Sequence, residues 1–272
     1  MFRRGLNRVI RGYFDESWKD HRVFAIGGYV CHDRLWRRIS ASWKHRRLRD
    51  GVQCFHAADC EDGRGEFKQL TKEQRIQLKT DLIQIVSSDS ELGGFGTAVI
   101  IEDFKKVRES SDRAKKVLGP SPYYLCFQTL LSDVCIEIEK VAADKPGVSV
   151  ASVFEEQEEF SGRAKKLYNE FKSINLTYAP RLGVLTYASK TKFVPLEIAD
   201  NLAYETMKEI LNNKYDPTRP RRISMEKMLP NVCRITLWAE KELRKLVEVG
   251  RTTEDVRNAK KTRALHSRST VA

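Results

Sequence analysis

Several acidic residues stand where an ordinary fold would not spend charge. Asp15 follows the aromatic pair Tyr13-Phe14, and Glu155 and Glu156 end the apolar stretch Val148–Phe154. Asp200 lies within Ile198-Ala199-Asp200-Asn201-Leu202-Ala203, with Glu197 one helical turn earlier on the same face. Carboxylates that converge repel one another unless a cation lies between them, and hard oxygen donors of this kind suit Mg²⁺ or Mn²⁺. Each acid also has a plainer reading. Asp15 can cap a turn into Ser17. The run Glu155-Glu156-Gln157-Glu158-Glu159 can be the solvated start of a helix. Asp200 is the hardest to explain in that way, because an apolar helix face seldom carries a lone Asp.

A second group, Cys54-x-His56-x-x-x-Cys60 with Asp59 beside it, has metal-ligand residue types. Its spacing matches no common zinc module, and a second pair of ligands is missing. The six cysteines form no Cys-x-x-Cys pair and read as reduced, mostly buried residues. His56 is as readily structural as it is a group that orients a water or a phosphate.

Aromatic and β-branched enrichment predicts strands at 11–17, 23–31, 93–101, 148–154 and 182–188. Helical periodicity predicts helices at 33–49, 71–87, 102–118, 123–142, 160–173, 196–212 and 234–248, the second opened by the capping box Thr71-x-x-Gln74. Residues 214–222 read as a basic, proline-broken linker. The pattern is a mixed α/β sheet with a helical tail. It places Asp15 and Glu155 at strand ends and Asp200 in an early helical turn, where one sheet edge can assemble a site.

Charge points to the partner. The 49 Lys and Arg residues exceed the 37 Asp and Glu residues by 12. The excess is concentrated at 1–12, 34–49 and 251–272, and the rest of the chain is slightly acidic. Concentrated basic blocks on an otherwise balanced chain suit a polyanion, nucleic acid above all. In the middle block Leu35, Trp36, Ile39 and Trp43 share one helical face, leaving Arg34, Arg37, Arg38, Lys44 and Arg49 on the opposite face for phosphate contact. No stretch is long and uncharged enough for a spanning helix, and recurrent apolar clusters argue against disorder. Without a leader-like opening, the expected location is cytoplasmic.

Three short motifs, in this order, are similar to those of the domain of unknown function 3800 family. They are Tyr13-x-Asp15-Glu16-Ser17 followed by Phe24-Ala25-Ile26-Gly27-Gly28-Tyr29; Phe55-His56-Ala57-x-Asp59; and Pro195-Leu196-Glu197-x-Ala199-Asp200-x-x-Ala203. The resemblance covers about residues 11–213. It implies an RNase H-like fold with a five-stranded mixed sheet over 1–213 and a helical insertion at about 33–88; the basic linker and helical tail read from the sequence pattern, 214–272, lie outside it. It also implies a metal-dependent nuclease of bacterial or mobile-element biology, in a setting such as antiviral defence. Carried over residue by residue, the metal ligands would be Asp15, Glu155 and Asp200. Glu16 and Glu156 are lesser candidates, and His56 would have a supporting catalytic role. Glu197 stands where the family usually has Gln and could add a ligand. Trp18 follows Asp-Glu-Ser where a small residue is common.

The leading expectation is therefore a two-metal phosphodiesterase using Mg²⁺ or Mn²⁺ on DNA or RNA. The rival is a catalytically silent nucleic-acid-binding or assembly subunit whose C-terminal helix docks a protein partner or a second copy. Carboxylates more than about 10 Å apart would favour the rival, because paired catalytic ions sit only ~3.5–4 Å apart.

Overall fold

The computed structural model describes residues 10–250 apart from 20, 21, 144, 146, 157 and 175–177. The basic block 251–272 and most of 1–12 lie outside the described residues. Six strands form one mixed sheet: β1 (Ile10–Lys19), β2 (Val23–His32), β3 (Gly93–Ile100), β4 (Val150–Glu155), β5 (Leu182–Ala188) and β6 (Val232–Trp238). Their spatial order is β5-β4-β1-β2-β3-β6. β1, β2 and β3 are antiparallel neighbours, while β4 runs parallel to β1, β5 to β4, and β6 to β3.

Strand alternation divides the core in two. Tyr13, Ala25 and Tyr29 face a layer containing α1 (Asp33–Arg49), α2 (Ala57–Asp62), α3 (Lys72–Ser87) and α8 (Val194–Tyr215). Phe14, Ile26 and Phe95 face α6 (Pro122–Ala142) and its neighbours. Local sequence explains the helix starts. Thr71 and Gln74 form the expected reciprocal capping box, and Ser121 caps α6 with Pro122 at its first position.

Two glycines set the height of α8 above the sheet. Gly27 lies opposite Asp15 on one side and Gly96 on the other, so the row next to Asp15 has no side chains on β2 and β3. A Cβ on Gly27 would stand 2.6 Å from the Ala203 backbone nitrogen, and one on Gly96 would stand 2.8 Å from Thr206 Oγ1. Their absence lets α8 press onto the sheet with Asp200 next to β1.

The structure corrects three expectations. The sheet has six strands rather than five, because the start of the expected 234–248 helix is β6. Ile235 and Trp238 satisfy a helical spacing, but Val-Cys-Arg-Ile-Thr-Leu-Trp is also β-favouring and pairs with the edge of β3. Only α10 (Glu240–Val249) remains helical there; it follows α9 (Ile223–Met228) and β6. Leu243 of α10 is buried, and Leu246 and Val247 pack on the α6-side core, so the apolar face expected to dock a partner is already covered. The expected 102–118 helix is broken into α4 (Ile101–Arg108) and α5 (Asp112–Leu118), the second capped by Ser111. The remaining helix, α7, spans Glu158–Ile174. No helix among the described residues is long and apolar enough to cross a membrane.

Candidate functional site

Asp15, Glu155 and Asp200 come together on one residue, Lys190, the two aspartates at its ammonium and Glu155 at its backbone N–H. β1 and β4 pair in parallel as far as Phe14 and Phe154, so Asp15 and Glu155 are the next residues beyond that last rung. Asp200 descends from the second turn of α8. In their midst is Lys190, carried by the short turn between β5 and α8. Its Nζ donates to Asp15 Oδ2 at 2.5 Å and to Asp200 Oδ1 at 3.3 Å, while its backbone N–H donates to Glu155 Oε2 at 2.7 Å. The two Asp oxygens are thus less than about 6 Å apart, well inside the limit beyond which the silent-subunit reading gains. The Ala57 N–H, the first of α2, donates to Asp200 Oδ2 at 2.6 Å, and the Glu16 N–H to Asp15 Oδ1 at 2.8 Å.

Asp15 and Asp200 are buried, and the Lys190 side chain is only 15 % exposed. Burial pushes the Asp15 carboxyl up to about 7; Lys190 opposes the rise, while Asp200 and Glu155 add to it. Glu155 is raised too, by burial first, against the pull of Lys190. Burial alone would lower the Lys190 ammonium, but Asp200, Asp15 and Glu155 outweigh it and hold it above its ordinary value. One ammonium cannot neutralise three carboxylates. The cluster therefore retains a proton or recruits a second cation.

The other candidates fall into distinct places. His56 caps α2, its Nδ1 accepting from the Asp59 N–H at 3.4 Å, which leaves the ring proton on Nε2. That Nε2 stands 3.9 Å from Asp200 Oδ1 on a half-exposed side chain. Glu16 shares the parity of Phe14 and lies toward Tyr123 on the other side of the sheet, its carboxyl raised by burial and by Asp15. Glu156 is exposed beside Glu155. Glu197 is not part of the cluster. Its Oε2 accepts from Trp43 Nε1 at 3.0 Å and the Phe55 N–H at 3.1 Å, and pairs with Arg47 Nε at 2.9 Å. Glu197 thereby anchors α1 and the 52–56 segment to α8. Cys60 turns its thiol to the Arg75 carbonyl.

The basic face of α1 is exposed at Arg34, Arg37, Arg38, Lys44 and Arg49, opposite buried Leu35, Trp36, Ile39 and Trp43. Arg38 is paired with Asp89, and Arg49 lies near Asp81. Arg34, Arg37 and Lys44 have no ion pair among the described residues. The helix meets α8 through Trp43 and Arg47, both on Glu197, which is one turn from Asp200.

Sequence reasoning missed Lys190 and the charges that balance α8. A lysine in Ser189-Lys190-Thr191-Lys192 carries no periodic signal and reads as solvated. Further along α8, buried Glu205 is held by Lys79 and Arg222, and buried Glu209 by Arg221. Glu209 has Arg221 to itself and Glu205 draws on two cations, Lys79 and Arg222, that it shares with Glu61, whereas Asp200 and Asp15 share the single ammonium of Lys190.

The donor types suit a hard divalent ion: two carboxylates, Asp15 and Asp200, flank one buried cationic position, and a third, Glu155, is tied to the backbone of the same lysine. No three His, Cys, Asp or Glu side chains among the described residues are gathered closely enough to hold a metal ion. No protein-family model matches the chain, and no curated protein matches it significantly.

Proposed function

We propose that this protein is a divalent-metal-dependent nuclease that hydrolyses phosphodiester bonds, with Asp15, Glu155 and Asp200 holding Mg²⁺ or Mn²⁺. The observation that carries this reading is the meeting of these three carboxylates, from β1, β4 and α8, at Lys190, with Asp15 and Asp200 sharing its ammonium and Glu155 on its backbone N–H. A bound divalent ion supplies Lewis acidity there and makes water a nucleophile near neutral pH. The chain's own residues do the rest. The N–H groups of Ala57 and Lys190 fix the rotamers of Asp200 and Glu155, so the donors are set before substrate arrives. Arg34, Arg37 and Lys44 hold backbone phosphates without reading sequence. His56 presents its Nε2 proton beside Asp200 at the half-exposed mouth, where it can donate to a phosphate or leaving oxygen. The RNase H-like resemblance points the same way, through the same three positions.

One observation favours the catalytically silent reading: Lys190 already supplies a counter-charge to the cluster. Cleavage assays separate the two. Labelled single- and double-stranded DNA and RNA are incubated with Mg²⁺ or Mn²⁺. The reading requires that at least one be cut, that EDTA stop the cutting, and that Asp15→Asn and Asp200→Asn abolish it while binding persists. Variants cutting at the wild-type rate would sink the assignment. Binding to all four substrates with no cutting would establish the silent subunit.

A further inference from the structure

Lys190 is the cation that this cluster holds, and its setting is unlike that of a structural lysine. The other buried acids of α8 pair with cations held elsewhere: Glu197 with Arg47, Glu209 with Arg221, and Glu205 with Lys79 and Arg222, both of which also pair with Glu61. Arg47, Lys79 and Arg222 are anchored in helices or at a helix start. Lys190 instead projects from a short turn closed by its own local hydrogen bonds, Lys192 N–H and Phe193 N–H to the Ser189 carbonyl, with 191–193 exposed. A four-carbon stem on such a turn can swing its ammonium into solvent without moving β5 or α8. The hydrogen bonds that fix Asp200 and Glu155 would survive the swing, because they come from backbone N–H groups of Ala57 and of Lys190 itself.

We propose that Lys190 is a built-in counter-ion that occupies the divalent-cation position in the metal-free protein, so that metal loading and withdrawal of the Lys190 ammonium are one exchange. This rests on the metal-dependent reading above and names its control. A single ammonium neutralises one charge, whereas a divalent ion in its place neutralises both Asp15 and Asp200, with Glu155 adjacent. The exchange therefore runs toward metal as its concentration rises. The lysine keeps the cluster assembled when metal is scarce, and it weakens apparent metal affinity by the competition it imposes.

Mn²⁺ alone, without nucleic acid, is the probe. Binding is followed by calorimetry and thermal melting for wild type, Lys190→Met and Asp200→Asn. Lys190→Met is expected to melt lower than wild type without metal, to bind Mn²⁺ about tenfold or more tightly, and to regain its stability on loading. Asp200→Asn is expected to lose Mn²⁺ binding. Equal or weaker Mn²⁺ binding by Lys190→Met would overturn the exchange while leaving the metal site standing. No Mn²⁺ binding by either wild type or Lys190→Met would overturn the metal-dependent reading and the exchange with it. A second measurement needs no variant. Reductive methylation of the wild-type protein, read by mass spectrometry, should leave Lys190 protected without metal and label it several-fold faster at saturating Mn²⁺. Protection that Mn²⁺ does not change would refute the withdrawal.

Discussion

Replacing Glu197 by Gln separates an anchoring acid from a metal ligand. In the structure Glu197 Oε2 accepts from the Trp43 indole at 3.0 Å and the Phe55 N–H at 3.1 Å, and it is ion-paired with Arg47, whose Nε stands 2.9 Å away. A Gln carbonyl still accepts from the first two, so the loss falls on Arg47, which is buried and whose other hydrogen bond is to the Val52 carbonyl at 3.0 Å. Breaking a buried ion pair by removing one partner costs about 3–5 kcal/mol, and the retained acceptors place this case near the lower figure. For a chain of this size each kcal/mol shifts Tm by roughly 2–4 °C, so Glu197→Gln should melt about 6–12 °C lower. Arg47→Met in the same chain removes the stranded guanidinium and should restore half or more of the loss, a coupling that a double-mutant cycle reads directly. Calorimetry should find Mn²⁺ affinity in Glu197→Gln within about twofold of wild type, since the residue is outside the cluster. An unchanged Tm, or Mn²⁺ binding weakened tenfold in a protein of wild-type stability, would refute the reasoning and return Glu197 to the ligand set.

Other expectations follow from the same geometry. Asp15 is raised to about 7 in the fold against an ordinary value near 3.9, so between these values the folded protein holds a proton that the unfolded chain has lost. Its contribution to stability is complete below about pH 4 and is lost as pH rises through 7; metal-free urea melts should show a decline toward pH 8.5 that Asp15→Asn flattens. Gly27→Ala would drive a methyl into the Ala203 backbone, lifting α8 and parting Asp200 from Asp15. Stability should fall by about 1–3 kcal/mol and Mn²⁺ binding should weaken, and normal Mn²⁺ binding in the variant would show that the close approach does not set the cluster. Reversing Arg34, Arg37 and Lys44 to Glu should weaken nucleic-acid binding for all sequences alike. It should also reduce the slope of log affinity against log salt by roughly 0.7–0.9 for each phosphate the protein no longer neutralises, and an unchanged slope in filter-binding titrations would remove α1 from the binding face.

Much of this arrangement was legible in the sequence where local rules and burial agree. Asp15 and Asp200 stood out because a charge amid apolar neighbours contradicts its surroundings, and β1 and α8 bring the two within reach of one nitrogen. The two-faced pattern of α1 was likewise readable, since Leu35, Trp36, Ile39 and Trp43 have no other face to bury. What failed depended on partners far apart in sequence. β6 was hidden because Val232–Trp238 fits both periods, and pairing with β3, over 130 residues earlier, decides between them. Glu197 was grouped with Asp200 because they share a helical face, but Trp43, Arg47 and Phe55 claim its carboxylate from elements the helix pattern does not reveal. Lys190 carried no signal at all. Its role is conferred by the carboxylates around it, not by its neighbours in the chain.

The most direct test is diffraction from crystals grown without metal and then soaked in Mn²⁺, with anomalous data collected near the manganese edge. The account predicts anomalous density between Asp15 and Asp200, within ligand distance of Glu155, with the Lys190 ammonium withdrawn from the cluster. Saturating Mn²⁺ that gives no such density, and leaves Lys190 bonded to Asp15 and Asp200, would contradict it.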